Sequence, residues 1–216
     1  MRWDWIQNNL ENIGELLAFH LYLAVVPVVL GLALALPIGF LAVRWPRLYP
    51  PMLATSGVLF SIPSLALFII LPGIIGTQIL DPINIVIALT IYAGALLVRP
   101  VADGLRSVPD HVRQSATAIG YERWRQVLKV ELPIALPFVF AGLRFVTVAN
   151  ISMVSVGALI GIGGLGELFT DGFQRNFVTP IVVGMVLSVA LALIADSVIV
   201  LIQRVLTPWA RAGRSS

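Results

Sequence analysis

Residues 105–137 read LRSVPDHVRQSATAIGYERWRQVLKVELPIALP, and this polar stretch interrupts a chain that is otherwise strongly apolar. Long apolar runs lie before and after it, so the pattern predicts a loop held between membrane helices. Its periodicity predicts a short helix of small residues, a stop at Gly120, and a second amphipathic helix that Pro133 ends. A solvated loop in the headgroup region is the alternative interpretation. The regular helix and stop signals in this stretch favour a surface that binds another protein.

The composition of the whole chain indicates its class. Hydrophobic residues make up 58% of the 216 residues and charged residues only 12%, whereas soluble domains carry about 25% charged residues. A water-soluble fold is therefore excluded, and we expect an all-α membrane protein with one transmembrane domain over residues 1–216. The chain contains no cysteine, which excludes disulfides, thiol chemistry and iron–sulfur clusters.

Charge-free runs predict five transmembrane helices, since one span needs about 20 apolar residues. The expected helices cover roughly 17–43, 52–75, 82–105, 135–160 and 178–206. A polar lead-in precedes the first of them. We expect Pro63 to kink the second, which membrane helices tolerate when a neighbour satisfies the freed carbonyl group.

The distribution of positive charge predicts the orientation of the chain, because cytoplasmic connections are rich in Lys and Arg. One set of alternate connections carries Arg44, Arg47, Arg106, Arg113, Arg123, Arg125, Lys129, Arg204, Arg211 and Arg214. The other set carries only Arg2 and Arg175, beside several acidic residues. We therefore expect the N-terminus outside, the C-terminus inside, and residues 105–137 in the cytoplasm. The net charge is +3, but the positive residues are concentrated in the connections on one side of the membrane. We therefore expect no nucleic-acid partner.

The polar segment, defined as residues 106–134, resembles a signature of the membrane subunits of bacterial ABC importers. That signature is Glu-Ala-Ala, three residues, Gly, nine residues, then Ile-x-Leu-Pro. This chain has Gln114-Ser115-Ala116, Gly120 and Val130-Glu131-Leu132-Pro133 at the same spacing, with Gln, Ser and Val as replacements. The resemblance implies that the segment contains the coupling helix, which binds a separate ATPase. The residues implied in coupling are Gln114, Ser115, Ala116, Gly120, Leu132 and Pro133.

Further short matches resemble the Opu-type osmoprotectant permeases, which import glycine betaine, choline, carnitine and related quaternary ammonium compounds. The matches are His20-Leu21-Tyr22-Leu23, Ile62-Pro63-Ser64-Leu65-Ala66, Arg99-Pro100 through Gly104-Leu105-Arg106, and Leu206-Thr207-Pro208. The methionine permeases are close relatives, so an importer of methionine or another amino acid remains an alternative. No aromatic cage for a quaternary ammonium ion is evident in the spans. This absence agrees with selectivity that lies in a separate binding protein.

The resemblance also implies the setting and the partners of the chain. We expect a multi-pass protein of the bacterial cytoplasmic membrane, in contact with lipid. The expected protein partners are an ABC ATPase, a second copy or a sister permease, and an extracytoplasmic substrate-binding protein. ATP and Mg²⁺ would be bound by the ATPase, and we expect no catalytic residue, cofactor or metal in this chain.

The glycine-rich stretch, residues 161–166, contains Gly161, Gly163, Gly164 and Gly166. A phosphate-binding loop is an unsuitable interpretation, because no strand precedes the stretch and no Lys-Ser/Thr follows it. The glycines predict a break after the fourth span and an external elbow over about 161–177. Two hypotheses remain open: the elbow contacts the substrate-binding protein and moves during gating, or it is a passive turn.

Arg144 and Asp196 are ionisable residues inside predicted spans, where an unpaired charge is costly. Each lies about nine residues from the cytoplasmic end of its helix, a depth of about 13 Å at 1.5 Å per residue. We expect the two side chains to pair or to share a polar network. A structural role is favoured over a place in the transport path, because a fixed arginine gives a cationic substrate no attraction.

Other classes of protein fit less well. An intramembrane enzyme needs convergent catalytic groups, but His20 and His111 are expected on opposite sides of the membrane. A secondary transporter usually shows internal repeats and more spans. A membrane assembly or scaffold protein is the remaining alternative, and a nucleotide-dependent complex with an ATPase would distinguish the importer from it.

Overall fold

The computed structural model describes residues 1–209, and every element in that range is helical, as expected. The first elements are α1 (Trp3–Asn8), α2 (Leu10–Arg44), α3 (Tyr49–Ser61), α4 (Ser64–Ile75) and α5 (Pro82–Arg106). They are followed by α6 (Asp110–Ala118), α7 (Arg123–Gln126), a π-helical turn (Val127–Glu131) and α8 (Leu132–Val156). The last elements are two 3₁₀ turns (Gly157–Ile160 and Gly164–Gly166), α9 (Glu167–Gln174) and α10 (Val178–Leu206). Arg211 and Arg214, expected among the cytoplasmic cations, lie outside the described residues.

Within residues 1–209, four helices are long and apolar enough to cross a membrane: α2, α5, the helical run Arg123–Ile160, and α10. The pair α3 and α4 raises the number to five if it counts as one span, but the two helices meet at 97°. The expectation that Pro63 kinks one continuous helix is therefore wrong. Proline disfavours helical backbone at the residue before it, and Ile62 is extended with ψ 130°. The freed Ile62 carbonyl accepts a 2.7 Å hydrogen bond from the Tyr92 hydroxyl of α5.

Helix α5 lies at the centre of the fold and packs against α2, α3, α4 and α8. Small residues bring α2 and α5 close together, as is common between membrane helices. A Cβ at Gly31 would lie 2.5 Å from that of Ala93, and a Cβ at Gly39 would lie 2.6 Å from Val101. Larger buried side chains, including Leu89, Tyr92 and Leu97, fill the space on either side.

The junction between the polar segment and α8 differs from the sequence-based expectation. Pro133 does not end a second loop helix, because the chain is helical without a break from Arg123 to Ile160. The π-helical turn provides the transition, and Pro133 lies in the first turn of α8. In a first helical turn, the missing N–H of proline costs little. The polar segment is thus directly continuous with a long membrane helix.

Candidate functional site

Helix α6 and its C-terminal turn project from the end of the bundle at which α5 ends and α8 begins. Gly120 has φ +90°, a conformation that L-residues resist. The Gly120 and Tyr121 amides donate to the Thr117 and Ala116 carbonyls, both at 3.0 Å, and so close the end of α6. The chain then reverses into α7. The residues matched to the importer signature are thus split between an exposed turn and the base of a long helix.

The surface of the polar segment combines exposed polar and exposed apolar side chains. Gln114 and Ser115 are exposed, whereas Ala116 is buried beneath them. Leu132 and Pro133 are partly buried in the first turn of α8. The exposed apolar set of the segment comprises Ile119, Trp124 and Leu128, with 74%, 57% and 55% of their surface accessible. These exposed apolar side chains lie on a segment that is otherwise rich in charge.

A buried ionic contact fixes this segment to the bundle. Arg113 Nη2 donates to the Leu105 carbonyl at the end of α5 over 2.7 Å. Its Nε lies 3.6 Å from Glu131 Oε2, and the Glu131 side chain is only 6% exposed. Arg113 also pairs with Asp110 in the first turn of α6, at 3.3 Å. Through Arg113, three helical elements hold the segment in one orientation.

Sequence reasoning missed the Arg113–Glu131 contact, although a signal for it was present. Glu131 occupies the apolar face of the second predicted helix, in register with Val127 and Leu128. A carboxylate on an apolar face needs a cationic partner when it is buried. No spacing rule could name that partner, because Arg113 lies on a different helix.

Arg144 and Asp196 meet between α8 and α10. Arg144 Nε donates to Asp196 Oδ1 over 2.6 Å, and Nη2 donates to Oδ2 over 2.9 Å. This two-bond geometry is the strongest arrangement available to an arginine and a carboxylate. The side chains are 44% and 29% exposed in the single chain. The pair therefore lies at the surface of the single chain, where α8 and α10 meet.

The glycine-rich stretch lies at the end of the bundle opposite the polar segment, and it is closely packed. Gly163, Gly164 and Gly166 are buried, whereas Gly161 is exposed. A Cβ at Gly164 would lie 2.7 Å from that of His20, and a Cβ at Gly166 would lie 2.5 Å from the Ser155 carbonyl oxygen. The glycines thus permit close approach of backbone to neighbouring helices. The expected elbow is formed by α9, after which the chain turns at Asn176 with φ 54°.

Comparison with known proteins identifies the class and then the family. A model of the family described as "Binding-protein-dependent transport system inner membrane component" matches residues 21–211. The osmoprotectant import permease OsmW of Salmonella typhimurium is 34% identical over 211 residues, covering 95% of this chain and 98% of that protein. The glycine betaine/carnitine/choline permease OpuCB of Bacillus subtilis is 30% identical, covering 94% and 93%. An inward-facing structure of the MetNI methionine ABC transporter has a TM-score of 0.77 at 26% identity, covering 88% and 93%.

The fold and these matches define the chain as the permease component of an ABC importer. It belongs to the family of binding-protein-dependent transport system inner membrane components. The family places the chain in the inner membrane as a multi-pass protein and implies two kinds of partner. These partners are an ATPase and a substrate-binding protein.

Proposed function

We propose that this permease translocates osmoprotectants of the quaternary ammonium class, such as glycine betaine, choline or carnitine. The observation that carries the proposal is full-length similarity to permeases whose names specify these substrates, with 34% identity to an osmoprotectant permease. Similarity at 30% identity extends to a choline permease of Bacillus subtilis, over 91% of each chain. A substrate-binding protein delivers the solute, and a separate subunit binds ATP and Mg²⁺ and hydrolyses the nucleotide.

The polar segment supports a specific mode of coupling to that ATPase. The exposed apolar set (Ile119, Trp124 and Leu128) offers a contact surface, and Arg113 holds the segment against the bundle. Because the segment continues into the Arg123–Ile160 helical run, movement of the ATPase is transmitted directly to a membrane helix. We infer that the polar segment faces the cytoplasm, with the N-terminus outside and the C-terminus inside. The bias of cations towards the connections on that side supports this orientation.

We infer that two permease subunits enclose the transport path, because a single five-helix chain has no room for a route with two gates. The second subunit is another copy or a sister chain. Two different Bacillus subtilis relatives, OpuCB and OpuCD, are both named as permeases of a glycine betaine/carnitine/choline transport system. This observation favours a pair of sister permeases. The exposed apolar face of α10, which includes Val186, Leu193 and Val205, is available to lipid or to the second subunit.

The test is ATP-driven uptake of labelled glycine betaine into proteoliposomes. The vesicles contain this chain, its ATPase, any sister permease and the binding protein, with excess unlabelled methionine as competitor. We expect uptake that methionine does not reduce. A methionine importer is the second candidate, and the similarity to the MetNI structure favours it. Uptake of labelled methionine without uptake of betaine would replace the proposed substrate and retain the coupling mechanism.

Replacement of Gly120 with valine is expected to uncouple ATP hydrolysis from uptake. A β-branched residue resists φ +90°, at a cost of about 1–2 kcal/mol for a left-handed residue, so the turn after α6 should change conformation. Open space surrounds the position, so the substitution creates no steric clash and should allow membrane insertion. We expect uptake per ATP hydrolysed to fall about fivefold or more, measured in the same vesicles. Gly57→Val is the control, because open space also surrounds Gly57 in the ordinary helix α3.

A further inference from the structure

His20 on α2 joins three separate elements at the end of the bundle opposite the polar segment. Its side chain is fully buried, with 0% of its surface exposed. The Leu165 amide of the glycine-rich stretch donates to His20 Nδ1 over 3.2 Å. On the other side of the ring, Nε2 lies 3.0 Å from the Ile151 carbonyl oxygen of α8. Both ring nitrogens are therefore bonded to backbone groups that lie more than 130 residues away in the chain.

The chemistry of these two backbone partners favours one neutral tautomer of the ring. A backbone N–H can only donate, so Nδ1 must be the unprotonated acceptor. A carbonyl oxygen can only accept, so Nε2 must carry the hydrogen. In this tautomer the neutral ring satisfies both the Leu165 amide and the Ile151 carbonyl. A buried imidazole bonded on both sides restrains the positions of its neighbours.

One close backbone approach and one further hydrogen bond tie the elements around His20 together. Gly164 has φ +48°, and a Cβ there would lie 2.9 Å from the backbone nitrogen of His20. One helical turn beyond His20, the Ala24 carbonyl accepts a 3.4 Å hydrogen bond from the side-chain nitrogen (Nδ2) of Asn150 on α8. Ile151 and Asn150 belong to the Arg123–Ile160 helical run, which begins in the polar segment. His20 therefore connects the glycine-rich stretch to the helix that reaches the coupling surface.

We propose that His20 is a positioning residue for transport, which couples the glycine-rich stretch to α2 and, through the Ala24–Asn150 hydrogen bond, to α8. Through it, the docking of a loaded binding protein at this end is transmitted to the helical run that ends at the ATPase contact. The proposal rests on the proposed importer function and adds a residue to its mechanism. The Leu165–His20 bond is its essential contact, and the Ile151 bond orients the ring.

Two conservative variants separate the two hydrogen bonds. In H20N, the amide oxygen can accept from Leu165 in place of Nδ1, but the side chain is too short to reach Ile151. In H20Q, the amide nitrogen can donate to Ile151 in place of Nε2, but the Nδ1 acceptor is lost. Each variant removes one bond from the same buried site and therefore controls for the other.

The experiment uses the complete importer in proteoliposomes, with two readouts. Hydrogen exchange measured by mass spectrometry on the peptide that covers 161–166 reports the Leu165 amide. Stimulation of ATP hydrolysis by the loaded binding protein reports coupling. Loss of one hydrogen bond is expected to make the Leu165 amide exchange about fivefold faster in H20Q than in wild type. We expect stimulation of ATP hydrolysis by the loaded binding protein to be about fivefold weaker, for the same loss of one hydrogen bond. H20N should remain close to wild type in both readouts.

The other outcomes overturn the proposal in distinct ways. Equal behaviour of H20N and H20Q would show that the Leu165 bond has no special role. Faster exchange in H20Q with unaltered stimulation would make His20 a structural residue only, as would failure of both variants to assemble. If wild-type vesicles show no uptake of glycine betaine, the substrate assignment fails. The exchange readout and the stimulation of ATP hydrolysis then still decide the role of His20.

Discussion

Replacement of Ile119 with aspartate is expected to release the ATPase from the permease. Ile119 is the most exposed member of the exposed apolar set, with 74% of its surface accessible. A charge introduced into the proposed docking surface removes apolar contact and leaves a carboxylate to be desolvated. Hot-spot substitutions cost about 2 kcal/mol or more, which corresponds to roughly thirtyfold weaker association. Co-purification of the ATPase with the tagged permease, quantified over a range of protein concentration, measures this effect.

Phe173→Asp is the matched control for that measurement. Phe173 on α9 is 82% exposed but lies at the end of the bundle that carries the glycine-rich stretch. The same change of side chain there should leave binding of the ATPase unaltered. Undiminished recovery of the ATPase with I119D would contradict the proposed contact surface. Equal loss with both variants would instead indicate a general defect in membrane assembly.

Arg144→Ala and Asp196→Ala are each expected to lower uptake by roughly tenfold. Each substitution leaves one charge without its two-bond partner inside a membrane-spanning helix, and an unpaired charge there is strongly disfavoured. The double variant removes both charges and should therefore be no worse than either single variant. Immunoblots of the membrane fraction give the amount of permease, and uptake per permease gives the activity.

The two measurements separate a structural ion pair from one that lines the transport path. A structural pair lowers the amount of permease and leaves uptake per permease near the wild-type value. A pair in the path lowers uptake per permease at a normal amount of protein. If the two single effects simply add in the double variant, Arg144 and Asp196 act independently and the pairing has no functional meaning.

Helices α5 and α10 were predictable almost to the residue from their charge-free runs. Pro82 opens α5, and the Asp81 side chain accepts a hydrogen bond from the Ile83 amide. The predicted range 178–206 matches α10, Val178–Leu206. The lead-in was less predictable, since α2 begins at Leu10 rather than near residue 17. Its first turns are polar on one side, while buried Ile13 packs against Leu165 and Leu168 on the other.

The features that sequence reasoning missed depend on contacts between distant parts of the chain. The break between α3 and α4 requires the Tyr92 hydroxyl to satisfy Ile62, and hydropathy alone does not distinguish it from a mild kink. In the sequence, His20 was part of a family match and one of two histidines considered for catalysis, and both of its hydrogen-bond partners lie on other elements. The depth of Arg144 and Asp196 in two helices, by contrast, was sufficient to predict that they lie close together.

The helical run Arg123–Ile160 is long enough to serve as a lever across the membrane. Its 38 residues correspond to a length of about 57 Å at 1.5 Å per residue. One end lies at the ATPase contact surface proposed here, and the other adjoins the glycine-rich stretch. A tilt of about 5° around its midpoint would displace each end by roughly 2.5 Å in opposite directions, from the same helical rise. A small tilt of this one helical run is thus sufficient to move groups at both faces of the membrane in opposite directions.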